Sequence, residues 1–481
     1  MSEKSLGKNA LLNGIKTACS ILFPFISFAY CSRVLGKENL GKYSFGQSII
    51  AYLLLVAALG IPNYAIREGA GIRDDKKNIN KFINQVFTIN CIMTIVSYVI
   101  LMIVLSIPRF ANYKYILLIQ SLQILLTTLG TDWINTIYED YFYLAVRYIA
   151  IQVISLLALI LFIKSPSDLY VYTLISTLSN SGGNILNWHY LRKHGIRPRL
   201  TINIQFHKHI KPILILFGNS IASVIYLNSD ITMLGLLTND ATVGVYTVAT
   251  KVYSMMKTLI NGVIMVTLPR FSFYIKKGRL EEYKKNLTNI ADVLMMISLP
   301  VMIGLFLEPN RILLFIAGSE YLSGSNVVRV YSFAILFAVF ACFYAYAILL
   351  PNKLEKYFLL STIIAAIINI SLNFVLIPFL GMLAAALTTL IAEIVVFFIS
   401  YHYSRKCITY KIKIKNIGKY LLGCSAVTIL CLLCDQLNIG NTLTLIIEIV
   451  FSTIVYVAIL MLSKCDSMIY LIRMIRRNTH D

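Results

Sequence analysis

The sequence predicts an all-α membrane protein, and two observations carry that prediction. The 481 residues are 58% hydrophobic and only 14% charged, with a mean hydropathy of +0.75, a balance outside every soluble class. Apolar runs of about 20 residues, the length a helix needs to cross about 30 Å of hydrocarbon, recur along the chain. These runs are apolar on all sides instead of alternating with polar residues as barrel strands do, which favours a helical bundle.

We predict about fourteen transmembrane helices, because that many apolar runs can be separated along the chain. The first six span approximately 10–33, 43–66, 83–107, 115–136, 143–164 and 168–190. The next six span 211–237, 244–270, 286–307, 327–350, 356–379 and 381–404, and the last two span 417–435 and 442–463. No connecting segment is long enough for a soluble domain, and the first run lacks the cleavage site of a signal peptide.

The basic residues follow this helix count. The formal net charge is +21, but Lys and Arg are spread over alternate connecting segments and do not form one nucleic-acid-binding patch. With the N-terminus in the cytoplasm, most of them fall in cytoplasmic segments, as the positive-inside rule requires. Examples are Arg73, Lys76, Lys77, Arg192, Lys193, Lys276, Lys277, Arg405, Lys406, Arg476 and Arg477. An odd number of spans would break this alternation, so we expect both termini in the cytoplasm.

A turn followed by a long apolar helix occurs twice. Residues 35–43 read LGKENLGKY and residues 237–246 read LTNDATVGVY, and each places a glycine, Gly41 or Gly244, two residues before a tyrosine. We therefore predict two six-helix bundles related by an internal repeat, a plan that in transporters puts the substrate at the interface of the halves. The predicted boundaries are 1–208 for the first bundle, 209–416 for the second, and 417–481 for two additional helices with a basic cytoplasmic tail.

Ionisable residues lie inside several of the predicted spans. A charge at membrane depth costs several kcal/mol, so such residues normally face a protein interior or a wet cavity and mark a substrate or ion path. Transport is therefore the first functional hypothesis. Those that we single out are Lys16, Asp132, Arg147, Asp230, Lys251, Lys257 and Glu393.

Structural roles are equally open for several charges. Asp230 and Lys251 lie at similar depths on successive spans, and so do Asp132 and Arg147, so that each pair is as consistent with a fixed salt bridge as with a functional role. Two further residues at span ends, Arg67 and Arg270, fit ordinary positive-inside anchors.

Helical periodicity gathers polar residues on one face of three spans. In lipid such faces contact protein or water, so they either line a cavity or hold helices together. The residues are Asn13, Lys16 and Ser20 in span one, Tyr226 and Asp230 in span seven, and Tyr253, Lys257 and Asn261 in span eight.

No motif indicates a cofactor or a metal. Cys431 and Cys434 form one CxxC spacing without a second pair, and His207 and His209 stand in a basic loop where we expect them to be solvated. The sequence contains no Gly-rich phosphate loop or nucleophile elbow, so we do not expect ATP hydrolysis.

A family resemblance covers nearly the whole chain. Three stretches carry it: DWINTIYEDYFYLAVR at 132–147, YLNSDITMLGLLTNDATVGVYTVATK at 226–251 and NISLNFVLIPFLGMLAAALTTLIAE at 369–393. Asp132, Trp133, Glu139 and Arg147 match the family pattern, whereas Ile137 replaces a glycine that is common there. The second stretch is similar to the family's Asp-containing seventh span, and the third to its Asn-Pro-Gly helix pair. The chain resembles the Wzx-type O-antigen and capsular polysaccharide flippases of the multidrug/oligosaccharidyl-lipid/polysaccharide exporter superfamily.

The resemblance implies a transporter, not an enzyme. It implies that the chain moves an undecaprenyl-diphosphate-linked oligosaccharide across the bacterial plasma membrane by alternating access, driven by a proton or sodium gradient and without a cofactor. The expected partners are this substrate and the membrane lipids, with a polysaccharide polymerase and other biosynthesis proteins as further candidates and no nucleic acid.

The residues suit that substrate, because a diphosphate requires cations away from bulk water and a sugar requires hydroxyl, amide and aromatic partners. Candidate diphosphate contacts are Lys16, Arg67, Arg147, Lys251, Lys257 and Arg270. Candidate sugar contacts are Asn13, Ser20, Tyr226, Tyr253 and Asn261, and candidate ion-coupling carboxylates are Asp230 and Glu393.

Two alternatives remain open. A cation-coupled multidrug exporter of the same superfamily would be expected to have an acidic, aromatic cavity, whereas several of the embedded charges here are basic. A membrane polysaccharide polymerase would require a large exterior loop, and the longest one expected, 308–326, has as its charges only Glu308, Arg311 and Glu320.

Overall fold

The computed structural model describes residues 6–193, 195–410, 413–434, 436 and 440–471, with side chains from residue 22 onward except 219, 266 and 414. Every regular element in these ranges is helical, which confirms the predicted fold class. Twelve helical runs among the described residues are long and apolar enough to cross a membrane. The protein is therefore a multi-pass membrane protein, while the predicted count of fourteen spans is not confirmed.

The helices are bounded as follows. The first nine are α1 (Leu6–Ala58), α2 (Ile61–Ile72), α3 (Lys76–Ser106), α4 (Lys114–Gly130), α5 (Asp132–Ile137), α6 (Tyr141–Phe162), α7 (Leu169–Ser181), α8 (Gly183–Lys193) and α9 (Phe206–Leu237). The others are α10 (Asp240–Lys276), α11 (Leu280–Leu307), α12 (Pro309–Ile316), α13 (Ser325–Phe343), α14 (Glu355–Leu380), α15 (Met382–Cys407), α16 (Ile414–Cys434) and α17 (Asn441–Leu462). A π-helical segment, Tyr344–Leu349, continues α13.

The difference between fourteen and twelve arises at two places. The first two predicted spans fall in one helical run, Leu22–Ile72, that includes most of α1 and all of α2. Within α1, Gly36 departs from helical geometry with φ 75° and ψ 167°. Only glycine adopts that conformation without strain, so the chain turns there without a loop. The sixth predicted span comprises α7 and α8, which meet at Gly182; with 13 and 11 residues neither is long enough by itself to cross a membrane, although Gly182 keeps a helical backbone with φ −62° and ψ −32°.

The residues form two compact units, Met1–Gly244 and Val245–Asp481. In the first, α1 packs against α3, α4, α6 and α9. Its core includes the buried Tyr64, Ile83, Trp133 and Ile137. Asp75 caps the N-terminus of α3, and its carboxylate accepts hydrogen bonds from the backbone N–H groups of Lys77 and Asn78. The bond from the Asn78 N–H is the main reason that the pKa of Asp75 lies below its usual range.

In the second unit, α13 packs against α11 and α15, and the C-terminal helices α16 and α17 pack against each other. The Tyr456 hydroxyl on α17 donates to the carbonyl of Met296 on α11 at 2.8 Å. The Arg311 guanidinium on α12 bonds Glu448 on α17 at 2.6 Å. These two bonds join α17, one of the two predicted additional helices, to α11 and α12 of the same unit. The predicted boundaries at 208/209 and 416/417 stay a prediction, because they follow from the repeat and not from packing.

The two glycines of the repeated turn lie against each other. A Cβ on Gly41 would lie 1.8 Å from the carbonyl oxygen of Asp240, and a Cβ on Gly244 would lie 1.9 Å from that of Lys37. Real Cβ atoms never approach other atoms so closely, so glycine at both positions allows the start of α10 to touch the chain of α1.

Large apolar side chains cover the outward faces of the helices. On α3, for example, Ile95, Val99, Met102 and Ile103 are all exposed and follow one helical face. An apolar surface of this extent is typical of contact with lipid.

Candidate functional site

In the second unit, a buried carboxylate and a lysine form an ion pair between two helices. The Lys257 ammonium on α10 lies 2.6 Å from Oε1 of Glu393 on α15, and the Tyr253 hydroxyl donates to the same oxygen at 2.9 Å. The structure thus brings a predicted substrate cation and a predicted coupling carboxylate together. Their mutual compensation, together with the tyrosine bond, offsets much of the cost of burying either charge.

Tyrosines surround this pair. The Tyr253 ring stacks on Tyr331 of α13 with centroids 4.6 Å apart, and Lys257 lies 5.6 Å from the Tyr253 ring centre. One helical turn further on, Asn261 donates to Sγ of Cys342 at 3.3 Å. The predicted polar face of span eight is confirmed as a protein-facing surface, whereas the substrate roles of its residues stay predictions.

The two members of the pair differ in accessibility. The Lys257 side chain is 24% exposed and that of Glu393 only 4%. The ammonium is therefore the more accessible member of the pair, and the enclosed carboxylate holds it in place. Chemically, the arrangement can present a positively charged donor within an apolar and aromatic environment, where charge-assisted hydrogen bonds are strong.

In the first unit, a second ion pair joins α5 and α6. Nη2 of Arg147 lies 2.5 Å from Oδ2 of Asp132, which confirms the salt bridge that the sequence left open. The Asn187 amide donates to Oδ1 of Asp132 at 3.2 Å and to Asn135 at 2.8 Å. Arg147 is buried and its guanidinium is bound in this network. Its assignment as a diphosphate contact stays a prediction, and such a contact would compete with the bond to Asp132.

The other family-motif residues shape the turn between α5 and α6. Glu139 adopts a left-handed φ of 56° and accepts from Arg73 at 2.7 Å, and this bond raises the pKa of the Arg73 guanidinium. Ile137 is buried in the hydrophobic core and ends α5. The turn therefore places its strained residue at Glu139, and isoleucine at 137 is accommodated by packing.

The remaining predicted residues lie in several surroundings. Arg67 is exposed and pairs with its neighbour Glu68 at 3.0 Å, and Arg270 lies 6.0 Å from the Tyr274 ring. Asp230 is buried on α9 in the first unit, as part of the helix that also carries Tyr226, and Lys251 belongs to the second unit. The pairing of Asp230 with Lys251 stays a prediction. The side chains of Asn13, Lys16 and Ser20 lie outside those that the structure describes.

One expectation was wrong. His209 is fully buried instead of solvated: it contacts the Tyr64 hydroxyl at 2.7 Å through Nδ1 and Oε1 of Gln85 at 2.9 Å through Nε2. His207 is exposed, as expected. A basic loop composition does not reveal that the first turn of α9 packs into the core of the first unit.

Sequence reasoning also missed two buried carboxylates in predicted spans, Asp292 and Glu448. Asp292 accepts weakly from Asn416 at 3.5 Å, and Glu448 pairs with Arg311. Each is an ionisable residue within an apolar run, and this is the same sequence signal that identifies Asp230 and Glu393. Across the described residues, no three His, Cys, Asp or Glu side chains are grouped to hold a metal ion.

Comparison with known proteins gives consistent matches. The family model described as "Polysaccharide biosynthesis protein" matches residues 6–275, more than half of the chain. The chain is 20% identical over 401 residues to the "Putative O-antigen transporter" of Escherichia coli (strain K12), covering 82% of this chain and 95% of that protein. It is 25% identical over 397 residues to the capsular polysaccharide biosynthesis protein CapF of Staphylococcus aureus, covering 80% and 96%.

Two solved structures share the fold. Lipid II flippase MurJ in an inward closed conformation aligns with a TM-score of 0.78 at 17% identity, covering 95% of this chain and 99% of that one. An inward-facing multidrug resistance transporter of the MATE family aligns with a TM-score of 0.62 at 16% identity, covering 80% and 93%. At these identities the similarity shows the fold alone.

Proposed function

The chain belongs to the polysaccharide biosynthesis protein family, and from this premise we propose that it flips undecaprenyl-diphosphate-linked oligosaccharide repeat units across the bacterial plasma membrane. The chain is a transporter and not an enzyme, of the class that moves lipid-linked precursors. In the proposed pathway the flipped repeat units supply surface polysaccharide synthesis, and the consumer is a polysaccharide polymerase on the outer face.

Lys257 is the observation that carries this proposal. Its ammonium is held at membrane depth by Glu393 and Tyr253, and its side chain is the accessible member of the pair. A diphosphate leaving the cytoplasmic surface must exchange its hydration for charged donors, and a lysine in an apolar, aromatic environment supplies one. A cationic drug would instead be repelled by the exposed ammonium, which favours the anionic cargo over the multidrug alternative.

The proposed cycle is alternating access driven by an ion gradient. Glu393 and Asp230 are the proposed coupling carboxylates, because each is buried within an apolar helix and so exchanges a proton or a sodium ion only when its surroundings change. With the positive-inside distribution of basic residues, both termini lie in the cytoplasm.

The direct test is deletion followed by complementation. Cells without the chain should accumulate lipid-linked oligosaccharide on the cytoplasmic leaflet, and the wild-type chain should clear it. Lys257→Ala should fail to clear it when the variants are compared at equal amounts of folded protein in the membrane, while Lys257→Arg, which keeps the charge, should retain part of the activity.

The matched control is Lys284→Ala, since Lys284 is an exposed lysine paired with Glu281 at a helix start. This variant should behave as wild type. Normal leaflet distribution after deletion, combined with loss of drug resistance, would contradict the flippase and favour the multidrug exporter.

A further inference from the structure

The first unit contains a cavity at a place where helices break. Leu59 and Gly60, with φ of 43° and 74°, separate α1 from α2, and Thr131, with φ of 45°, separates α4 from α5. Irregular backbone within membrane-spanning runs is tolerated where it is buried or lines a cavity. In transporters, discontinuous helices of this kind commonly surround a binding site.

The cavity has a volume of about 120 Å³ and two chemically different walls. One wall is apolar and comprises Leu54, Ala57, Ala58, Pro62 and Ile124. The other is polar and comprises Asn90, Thr127, Thr128, Asp132 and Asn184, with Trp133 beside it. Such a pairing of an apolar face with a row of hydroxyl, amide and carboxylate groups matches a pyranose ring, which has a C–H face and an edge of hydroxyls.

The polar wall is held rigid by bonds behind it. Arg147 bonds Asp132 at 2.5 Å and Asn184 at 3.4 Å, and the Asn90 amide donates to the carbonyl of Ala57 at 2.8 Å. These bonds orient the carboxylate and both amides before any ligand arrives. A preorganised wall loses little freedom on binding, which favours a weakly interacting ligand such as a sugar.

The charge of the wall is balanced. The Asp132 carboxylate is compensated by Arg147, so a cation at the cavity would find no unpaired negative charge, and an anion would meet the accessible carboxylate before the enclosed guanidinium. A neutral polyol avoids both penalties, because its hydroxyls donate to the carboxylate and accept from the amides.

Buried polar atoms without partners concentrate on the residues that line or back this cavity. Within the described part of the chain, Nε1 of Trp133, Nη1 of Arg147, Nδ2 of Asn135 and Oδ1 of Asn187 are buried and have no hydrogen-bond partner. Groups of this kind are costly and rare, and a cluster of them marks a network that a polar guest completes.

We propose that this cavity binds one sugar ring of the oligosaccharide head group, an assignment that rests on the proposed function. At about 30 Å³ per water, its volume equals about four waters, enough for one edge of a ring and too small for a repeat unit. Asp132, Asn90 and Asn184 bind the ring hydroxyls, while Ala57, Ala58 and Pro62 contact the C–H face.

The chain provides its own reporter for the test, because it has two tryptophans and Trp133 lines the cavity. The other, Trp188, packs against Arg192 at 4.8 Å and is replaced by Trp188→Phe. This full-length single-tryptophan chain is placed in lipid nanodiscs and titrated with glucose, galactose, N-acetylglucosamine, N-acetylgalactosamine and glucuronate. At least one of them should change the Trp133 emission in a saturable way.

Three variants in this background locate the response. Ala58→Leu fills the cavity and should abolish it, and Thr127→Val, which removes one hydroxyl at constant volume, should weaken the apparent affinity about tenfold. Thr453→Val is the matched control: its hydroxyl bonds only within α17, to the Ile449 carbonyl, on an exposed face of the second unit. It should leave the response unchanged.

The outcomes separate this inference from the proposed function. Lys257→Ala should bind sugar normally and fail to flip the lipid-linked oligosaccharide. If flipping is established but none of the sugars changes the Trp133 emission, or Ala58→Leu binds and flips as wild type does, the sugar site is refuted and the flippase stands. A saturable response to sodium chloride and not to any sugar would also overturn it. If deletion leaves leaflet distribution normal, the proposed function fails whatever Trp133 reports.

Discussion

The two units each contain a buried ion pair, and the pairs are built in opposite senses. In the first unit the cation is enclosed and the acid is accessible: the Arg147 side chain is 8% exposed and that of Asp132 is 45%. In the second unit the acid is enclosed and the cation is accessible, at 4% for Glu393 and 24% for Lys257.

The two pairs show that a buried ion pair can leave either its acid or its base accessible. One charge then faces outward although the pair as a whole is neutral. In each pair the enclosed member holds the accessible one in place. The first unit thus offers an acceptor, suited to sugar hydroxyls, and the second a cationic donor, suited to phosphate. Mutations that change only one member of each pair test whether the enclosed and the accessible residues have these different roles.

The largest effect is expected from removing the accessible member of either pair. Lys257→Met leaves Glu393 enclosed and uncompensated, and Asp132→Leu does the same to Arg147, so each should lower the free energy of unfolding by about 3–5 kcal/mol. Thermal unfolding of the purified chain in detergent measures this as a lower Tm. Tm values equal to wild type for both would show that neither pair is buried as described.

A smaller effect is expected from neutralising the enclosed member. Glu393→Gln keeps an acceptor for Tyr253 and leaves Lys257 in partial contact with solvent, and Arg147→Gln leaves Asp132 half exposed. The same unfolding experiment should show losses of about 1–2 kcal/mol. The comparison is broken if Glu393→Gln destabilises the chain more than Lys257→Met does.

Reversing the second pair should separate stability from transport. In the double variant Lys257→Glu with Glu393→Lys the ion pair re-forms, and we expect the free energy of unfolding to return to within about 1 kcal/mol of wild type, as charge compensation is restored. The accessible member is then an anion, which repels a diphosphate, so clearance of lipid-linked oligosaccharide from the cytoplasmic leaflet should remain absent. Restored clearance would show that Lys257 is purely structural.

The smallest effect is expected at the exposed pair of Arg73 and Glu139. Both side chains face solvent, where an ion pair contributes little because water and salt screen it. Glu139→Gln should therefore leave Tm unchanged at all salt concentrations. A clear drop in Tm would mean that the turn between α5 and α6 depends on this pair and not on the packing of Ile137.

Much of this architecture follows from the sequence. Apolar runs predict the helices, and Asp132 and Arg147 are predictable as a pair because they lie at matching depths on successive helices. Lys257 and Glu393 were singled out separately, for opposite roles, because nothing in a single sequence shows that α10 and α15 are neighbours.

The cavity of the first unit could not have been predicted for a related reason. Its walls come from six helices, and no two polar wall residues other than Thr127 and Thr128 are adjacent in the chain. Leu59 and Thr131 adopt left-handed backbone geometry although neither residue is a glycine, the residue type from which such geometry is usually predicted. Tertiary packing alone holds these residues in a conformation that their side chains disfavour.

The contact between Gly41 and Gly244 has a consequence for how this chain can vary. Any side chain at either position would collide with a backbone carbonyl across the contact, and a compensating change at the opposite glycine cannot relieve the clash, since glycine is already the smallest residue. Each position therefore requires glycine whatever residue stands at the other. In a library of random substitutions, functional clones should carry glycine almost exclusively at both positions. The repeated turn would then be seen as two single positions, far apart in the gene, that tolerate no substitution.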